Sequence, residues 1–269
     1  MADSLFVTLA DGRTLPTELS RGPWSPNALH GGPVAALVAH AGEAALAATG
    51  ADAATPVRLT LDLERPVPLA PLLVSSEIVR RGRKVQVAEV TVHDEAGTRL
   101  VRASVLAIRR HEVDLPEDRP RPEDPTPPPP DESGARWNGG PFGDGLTSFV
   151  KDAVTHQLVP GALPGSSTVI DWIRLEVNVL DDHPPSPFQR VLAAADFSNG
   201  ISAVLPFDEW TFINPDLTVT LHRMPVGEWV AIEAASRLEP DGVGTAESIL
   251  HDAGGRLGHC VQTLLVEPR

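Results

Sequence analysis

The strongest constraint on this chain is that it carries one pattern twice. Around Arg65 the sequence reads Leu63-Glu-Arg-Pro, continues in alternating apolar residues, and reaches His93-Asp-Glu-Ala-Gly97 and then Ser104-Val-Leu. Around Arg223 it reads Leu221-His-Arg-Met, continues in the same way, and reaches His251-Asp-Ala-Gly-Gly255 and then Gln262-Thr-Leu. Arg65 to Arg223 and Gly97 to Gly255 are both 158 residues apart, so no net insertion separates the two anchors. A period of domain size means a duplicated unit and not a solenoid. Whatever these 269 residues fold into must be built from two copies of one plan.

The plan is legible within each copy. Val57–Leu63 alternates apolar and polar, as does Leu217–Leu221, which predicts strands. Further strands are predicted at Leu72–Val79, Val85–Val92 and Leu100–Ile108, and again at Trp229–Ala235, Thr245–Leu250 and Gly258–Val266. Asp94–Gly97 and Asp252–Gly255 have the composition of hairpin turns, with glycine where a positive φ is needed. One helix precedes each run: Gly31–Ala48, rich in alanine with Pro33 in its first turn, and Pro187–Phe197. Both are mostly apolar and therefore expected to be buried. A buried helix followed by an antiparallel sheet, twice, is an α+β plan in which sheet wraps helix.

Between the copies lies Asp114–Asp131, where many of the chain's 27 prolines collect. Proline donates no backbone hydrogen bond, so this stretch joins neither a central strand nor a helix and is expected to be an extended connector. A docking peptide for a proline-binding partner is the other reading of such a run. The expected organisation is an N-terminal unit at 1–113, a linker at 114–135 and a C-terminal unit at 136–269.

A formal net charge of −14 argues against nucleic acid or an anionic membrane as partner. The single cysteine, Cys260, allows no internal disulfide and fits a reducing compartment. No secretory leader is recognisable at Met-Ala-Asp-Ser, and no apolar run approaches a bilayer span, so a soluble, cytoplasmic protein is expected.

Four places carry candidate chemistry. Paired glycines in His30-Gly31-Gly32-Pro33 open the first helix, where unpaired N–H groups and the positive dipole end suit an oxyanion. The plainer reading is a tight turn with His30 as a local cap. Asp196 ends the alanine-rich second helix, where burial would raise its pKa and make it a general base; the alternative is a helix end turned to solvent before Ser198-Asn-Gly200. Asn214, in Phe-Ile-Asn-Pro-Asp, is either turn chemistry or a polar contact, and Gln262 interrupts an apolar strand end. Arg80, Arg81, Arg83 and Lys84 form a basic cluster able to meet phosphates or simply a solvated turn. There is no Gly-x-Ser-x-Gly elbow, Walker A loop or Gly-x-Gly-x-x-Gly. Nine histidines lack metal-ligand spacing, so neither a metal nor a cofactor is expected. Cys260 sits on an apolar strand and is expected to pack, not to react.

These residues resemble a known group. His30-Gly31-Gly32 opening a long helix is similar to the hallmark of hotdog-fold thioesterases. Ala195-Asp196, Leu217-Thr-Val-Thr-Leu-His222-Arg223 and Val261-Gln262 resemble the acyl-CoA thioesterase II family of double hotdogs, across nearly the whole chain outside the proline connector. The resemblance implies hydrolysis of an acyl-CoA to free acid and CoA, in fatty acid metabolism, without metal or covalent intermediate. It implies that Asp196, the position of Asn214 and Gln262 orient a water, while the Gly31/Gly32 helix start polarises the carbonyl. The family has threonine where this chain has Asn214, a departure. His40 stands in the first helix about where Asp196 stands in the second, and the second helix has no His-Gly-Gly, so one site per chain is expected. The other readings are a non-catalytic acyl-CoA or lipid-binding hotdog protein and a hotdog hydratase or dehydratase. Further association into a homo-oligomer is common where sheet edges are exposed.

Overall fold

A computed structural model describes residues 3–50, 54–120, 122, 125–130, 145–159, 168–181 and 183–269. Each copy contributes four strands in the predicted order. In the first they are β3 (Ala54–Leu63), β4 (Leu73–Arg81), β5 (Val85–His93) and β6 (Arg99–Arg109); β1 (Ser4–Thr8), β2 (Thr14–Pro16) and helix α1 (Gly31–Ala47) precede them. In the second copy β7 (Val154–Leu158), β8 (Val169–Leu175) and β9 (Asn178–Leu180) lead to helices α2 (Pro187–Ala195) and α3 (Ser198–Ile201). Then follow β10 (Trp210–Ile213), β11 (Asp216–Leu221), β12 (Trp229–Leu238), β13 (Val243–Asp252) and β14 (Gly255–Pro268).

One antiparallel sheet runs through both copies in the order β4-β5-β6-β3-β11-β14-β13-β12-β8-β7, with β10 also on β14. The seam is the β3/β11 pair, and its register is informative. Thr60 lies opposite Thr218, Leu59 opposite Val219 and Leu61 opposite Leu217. Thr60 and Thr218 are themselves 158 residues apart, so a residue faces its own copy there and a pseudo-twofold axis passes between them. Helices α1 and α2 pack against each other under this axis, and α1 also packs on β4, β5 and β6. Val34–Ala39 of α1 and Val191–Ala195 of α2 are buried, as their apolar composition requires. This is the α+β double hotdog: two long-helix units wrapped by a shared sheet.

The two turns behave as copies. Gly97 has φ 81° and Gly255 has φ 107°, a region open to glycine at little cost. The Arg223 guanidinium forks onto both Asp252 carboxylate oxygens, at 2.6 and 2.5 Å, and so fastens the second turn. Burial alone would raise the Asp252 pKa. The guanidinium and the N–H groups of Val226 and Gly254 outweigh it and hold the carboxyl below its usual range.

Several elements depart from the sequence reading. The second helix was expected to reach Phe197 but stops at Ala195, with Asp196 as its C-cap. The Ser198 hydroxyl explains the stop, because it donates to the Ala195 carbonyl at 2.7 Å and satisfies the helix end from outside. Strands β12, β13 and β14 run past their predicted ends, since ladder partners continue beyond the strictly alternating residues. Short strand β1 pairs in parallel with β9, so the N-terminal segment is laid onto the second copy. The proline connector also leans there: Trp172 donates its indole N–H to the Pro128 carbonyl at 2.7 Å. Residues 121, 123, 124 and 131–135 of the expected linker lie outside the described residues.

Candidate active site

Three segments converge where the start of α1 meets the end of α2. Asp196 is buried there, 7% exposed, and not turned to solvent. Its Oδ1 accepts from Asn214 Nδ2 at 2.9 Å and from Gln262 Nε2 at 3.0 Å. Each amide is fixed from behind. The Asn199 backbone N–H donates to Gln262 Oε1 at 3.0 Å, which leaves Nε2 to face the carboxylate. Asn214 Nδ2 also donates to the Asp216 carbonyl at 3.1 Å. A carboxylate taken from water is tolerable only when hydrogen-bonded in this way.

The other oxygen faces α1. A Cβ on Gly31 would lie 2.5 Å from Asp196 Oδ2, and one on Gly32 would lie 2.5 Å from the Ala193 carbonyl. The absence of side chains at both positions therefore lets α1 begin directly on the acid and on the α2 backbone. His30 caps the helix: Gly32 N–H donates to His30 Nδ1 at 3.0 Å, and the same nitrogen lies 3.0 Å from Asp196 Oδ2. One ring nitrogen cannot serve both. When it carries a proton it donates to the carboxylate and Gly32 N–H loses its acceptor; when it does not, it accepts from Gly32. All six residues singled out in the sequence, His30, Gly31, Gly32, Asp196, Asn214 and Gln262, thus stand together.

Other neighbours escaped the sequence reading. Phe197 packs on His30 at 4.7 Å between ring centroids, and Phe149 at 5.1 Å; the two phenyl rings stack on each other at 5.4 Å. The buried His156 ring also meets Phe197, edge-on at 4.7 Å, and His156 Nδ1 pairs with Asp171 at 2.6 Å. Asn199 and Ser198 looked like turn residues; both are buried. Only the run Asp-Phe-Ser-Asn at a helix end hinted at them.

The pseudo-twofold copy of this place is built differently. There the start of α2 meets α1, and Ser186 caps α2 by accepting from Gln189 N–H at 3.1 Å. The Glu43 carboxylate fills the position, taking Ser186 Oγ at 2.8 Å and Gln189 Nε2 at 2.7 Å, with His40 beside them. Burial pushes the Glu43 carboxyl above its usual range, opposed by the Gln189 and Ser186 hydrogen bonds. Burial also lowers the His40 pKa, helped by His183. A group with a raised folded-state pKa stabilises the fold below its unfolded pKa, and that contribution is lost as pH rises through the folded value. Glu43→Gln is therefore expected to raise the melting temperature at pH 7, with the gain vanishing below the usual glutamate range. Thermal melts from pH 3.5 to 8 check this, and a gain independent of pH would contradict it.

Asn214 invites a test of its own. Asn214→Ala leaves Oδ1 with Gln262 alone, and losing one hydrogen bond to a buried charged group is expected to destabilise the fold by about 1.5–3 kcal/mol. Asn214→Thr restores a single donor and is expected to recover most of that loss in the same thermal melts.

Elsewhere, Cys260 is wholly buried on β14 and its thiol is pushed up to about 12 by burial, which suits packing. Arg80, Arg81, Arg83 and Lys84 sit at the β4–β5 hairpin, on the outer edge of the sheet. Among the described residues no cluster of three or more His, Cys, Asp or Glu could hold a metal, and no helix is long and apolar enough to cross a membrane.

Two family models match the chain: an acyl-CoA thioesterase N-terminal domain over residues 20–108 and an acyl-CoA thioesterase C-terminal domain over residues 116–266. No curated protein matches in sequence. Among solved structures, a candidate thioesterase II from Thermobifida fusca YX superposes with a TM-score of 0.72 at 20% identity, covering 98% of this chain and 96% of that one. The tesB protein of Mycobacterium avium subs paratuberculosis gives 0.65 at 18%, covering 95% and 93%. A hot dog fold protein from Alicyclobacillus acidocaldarius gives 0.68 at 17%, covering 95% and 92%. At these identities the likeness is one of fold.

Proposed function

Because the chain belongs to the acyl-CoA thioesterase family and is a thioester hydrolase, we propose that it cleaves acyl-CoA to free acid and CoA with Asp196 as the base that activates water. The observation carrying this reading is the Asp196 carboxylate, buried against the Gly31 helix start with Oδ1 held by two oriented amides. In this scheme Asn214 and Gln262 fix the carboxylate, and Oδ2 takes a proton as water oxygen bonds to the thioester carbon. The carbonyl oxygen becomes an oxyanion facing the unpaired N–H groups of α1. Gly32 N–H is released for it whenever His30 Nδ1 donates to Asp196. The carbon–sulfur bond then breaks, and the proton held by Asp196 passes to the leaving thiolate.

One site per chain follows, because the second helix start is already occupied by its own cap and by Glu43. The units at 1–113 and 136–269 each supply half of it: His30, Gly31 and Gly32 from the first, Asp196, Asn214 and Gln262 from the second. The lone buried thiol fits a cytoplasmic setting.

Free-thiol release from a panel of acyl-CoAs tests the activity; binding without turnover would favour an acyl-CoA-binding scaffold instead. A single turnover in ¹⁸O-water tests the mechanism. Label is expected in the product acid, whereas label in the Asp196 carboxylate would mean that Asp196 attacks the thioester itself.

A further inference from the structure

A second histidine–aspartate pair is buried in the C-terminal unit, and the chemistry assigned to Asp196 makes no use of it. His156 on β7 stands opposite Ile173, and Asp171 on β8 stands opposite Leu158, so the two side chains share one face of the sheet. Both are buried, as are Ile173 and the rest of that inner face. His156 Nδ1 lies 2.6 Å from Asp171 Oδ2, and Asp171 Oδ1 accepts from the Gln157 N–H at 3.0 Å. Both carboxylate oxygens are thus used, and the imidazole is held in one orientation by its own Nδ1.

Such a pair is a poor means of stabilising a fold, because apolar residues of the same volume serve as well or better. The β7–β8 ladder already ties that edge strand to the sheet. What the pair supplies, and apolar residues do not, is a ring of fixed direction. That ring stands at 86° to Phe197 with 4.7 Å between centroids, a geometry aromatic rings prefer. Phe197 directly follows Asp196, stacks on Phe149 at 5.4 Å and packs on His30 at 4.7 Å. Among the described residues it is the phenyl ring that meets both imidazoles. A phenyl ring passes no proton, so an effect carried through Phe197 is one of position.

We propose that His156 and Asp171 are positioning residues for the thioester hydrolysis. By fixing Phe197 they hold the His30 ring where Nδ1 stands 3.0 Å from both Gly32 N and Asp196 Oδ2. The assignment rests on Asp196 as the base and on the part His30 plays beside it. A displaced ring favours one of these two contacts over the other, and Nδ1 no longer passes between them. A misplacement of about 1 Å, caused far from the chemistry, can cost about 10²-fold in rate.

Variants of the full chain are compared with wild type by steady-state thiol release from an acyl-CoA and by thermal melts. Asp171→Asn keeps an acceptor for the Gln157 N–H and donates its amide to a neutral His156 Nδ1, so the ring stays and most of kcat should remain. Adding His156→Leu removes the ring without leaving a buried charge unpaired. In that double variant kcat should fall about tenfold or more at unchanged KM, with the melting temperature close to that of Asp171→Asn. Phe197→Leu leaves the pair intact, breaks its link to His30 and should show the same split. All three substitutions together should lose no more than Phe197→Leu alone, since residues acting through one contact are not additive. The proposal is overturned if the double variant keeps most of wild-type kcat, or if its loss falls in KM. It is equally overturned if Asp171→Asn alone loses as much, or if the losses multiply in full with that of Phe197→Leu. Should the double variant not fold, an undiminished kcat in Phe197→Leu overturns it. Asp196→Asn, run alongside, separates this outcome from the reading beneath it: wild-type turnover in that variant removes the base, and the positioning pair with it.

Discussion

Replacing Asp196 with asparagine is expected to lower kcat by about 10²–10⁴-fold, the range for loss of a general base, without unfolding the protein. The hydrogen bonds explain why the two effects separate. Asn214 and Gln262 both donate to Oδ1, so an asparagine would turn its carbonyl oxygen that way and keep both. Its amide nitrogen would then face His30 Nδ1, which would accept from it in place of donating to Asp196 Oδ2. The site would stay filled and its amides satisfied, yet no atom could take a proton from water. Thiol release and a thermal melt on the same preparation measure both halves. A variant retaining more than a tenth of wild-type turnover would remove Asp196 from the mechanism.

The second large effect concerns two neighbouring glycines that should fail in different ways. An alanine Cβ at Gly31 would lie 2.5 Å from Asp196 Oδ2 and 2.7 Å from Oδ1. The carboxylate must shift, which takes Oδ2 from the place where it would accept the proton. Gly31→Ala should therefore cost about 10²-fold or more in kcat, within the range for a displaced base, with little change in stability. At Gly32 the obstacle is the Ala193 carbonyl at 2.5 Å, which belongs to the α2 backbone. Gly32→Ala must push the helices apart, and overpacking of this kind costs about 1–3 kcal/mol. Its melting temperature should fall first and its activity follow. Equal losses of stability in the two variants would show that Gly31 is spaced for helix packing and not for the acid.

The duplication, the strands and the place of Asp196 at a helix end were legible because each has a local signature, whereas Asn214 and Gln262 became candidates for catalysis only through the family resemblance. Alternation marks strands, glycine marks the turn at Gly97 and its copy Gly255, and a carboxylate among alanines marks Asp196. What was not legible depends on contacts distant in sequence. Nothing near Phe197 signals that it will pack on His30, or that Asn199 will orient Gln262 from 63 residues away. The stop at Ala195 is set by a serine hydroxyl, which a propensity scale treats as a mild preference. His40 was aligned with Asp196 by helix position alone. Its actual setting, beside Glu43 and Gln189, needed α2 in place. The departure at Asn214 is now easier to understand. A threonine offers one donor there, whereas this amide reaches both Asp196 and the Asp216 carbonyl.

The seam where Thr60 meets Thr218 also bears on how such a chain can change. In an assembly of two identical subunits, a residue on the axis meets itself, and every substitution is made twice. Joined in one polypeptide, the two sides mutate singly. A Glu43 that would cripple a helix start in a symmetric pair can settle at one end while the other keeps its glycines. The covalent tie also holds the partner at fixed local concentration, so neither side must preserve a surface able to find its mate from solution. Selection then acts on the chain as a heterodimer whose subunits can never be exchanged.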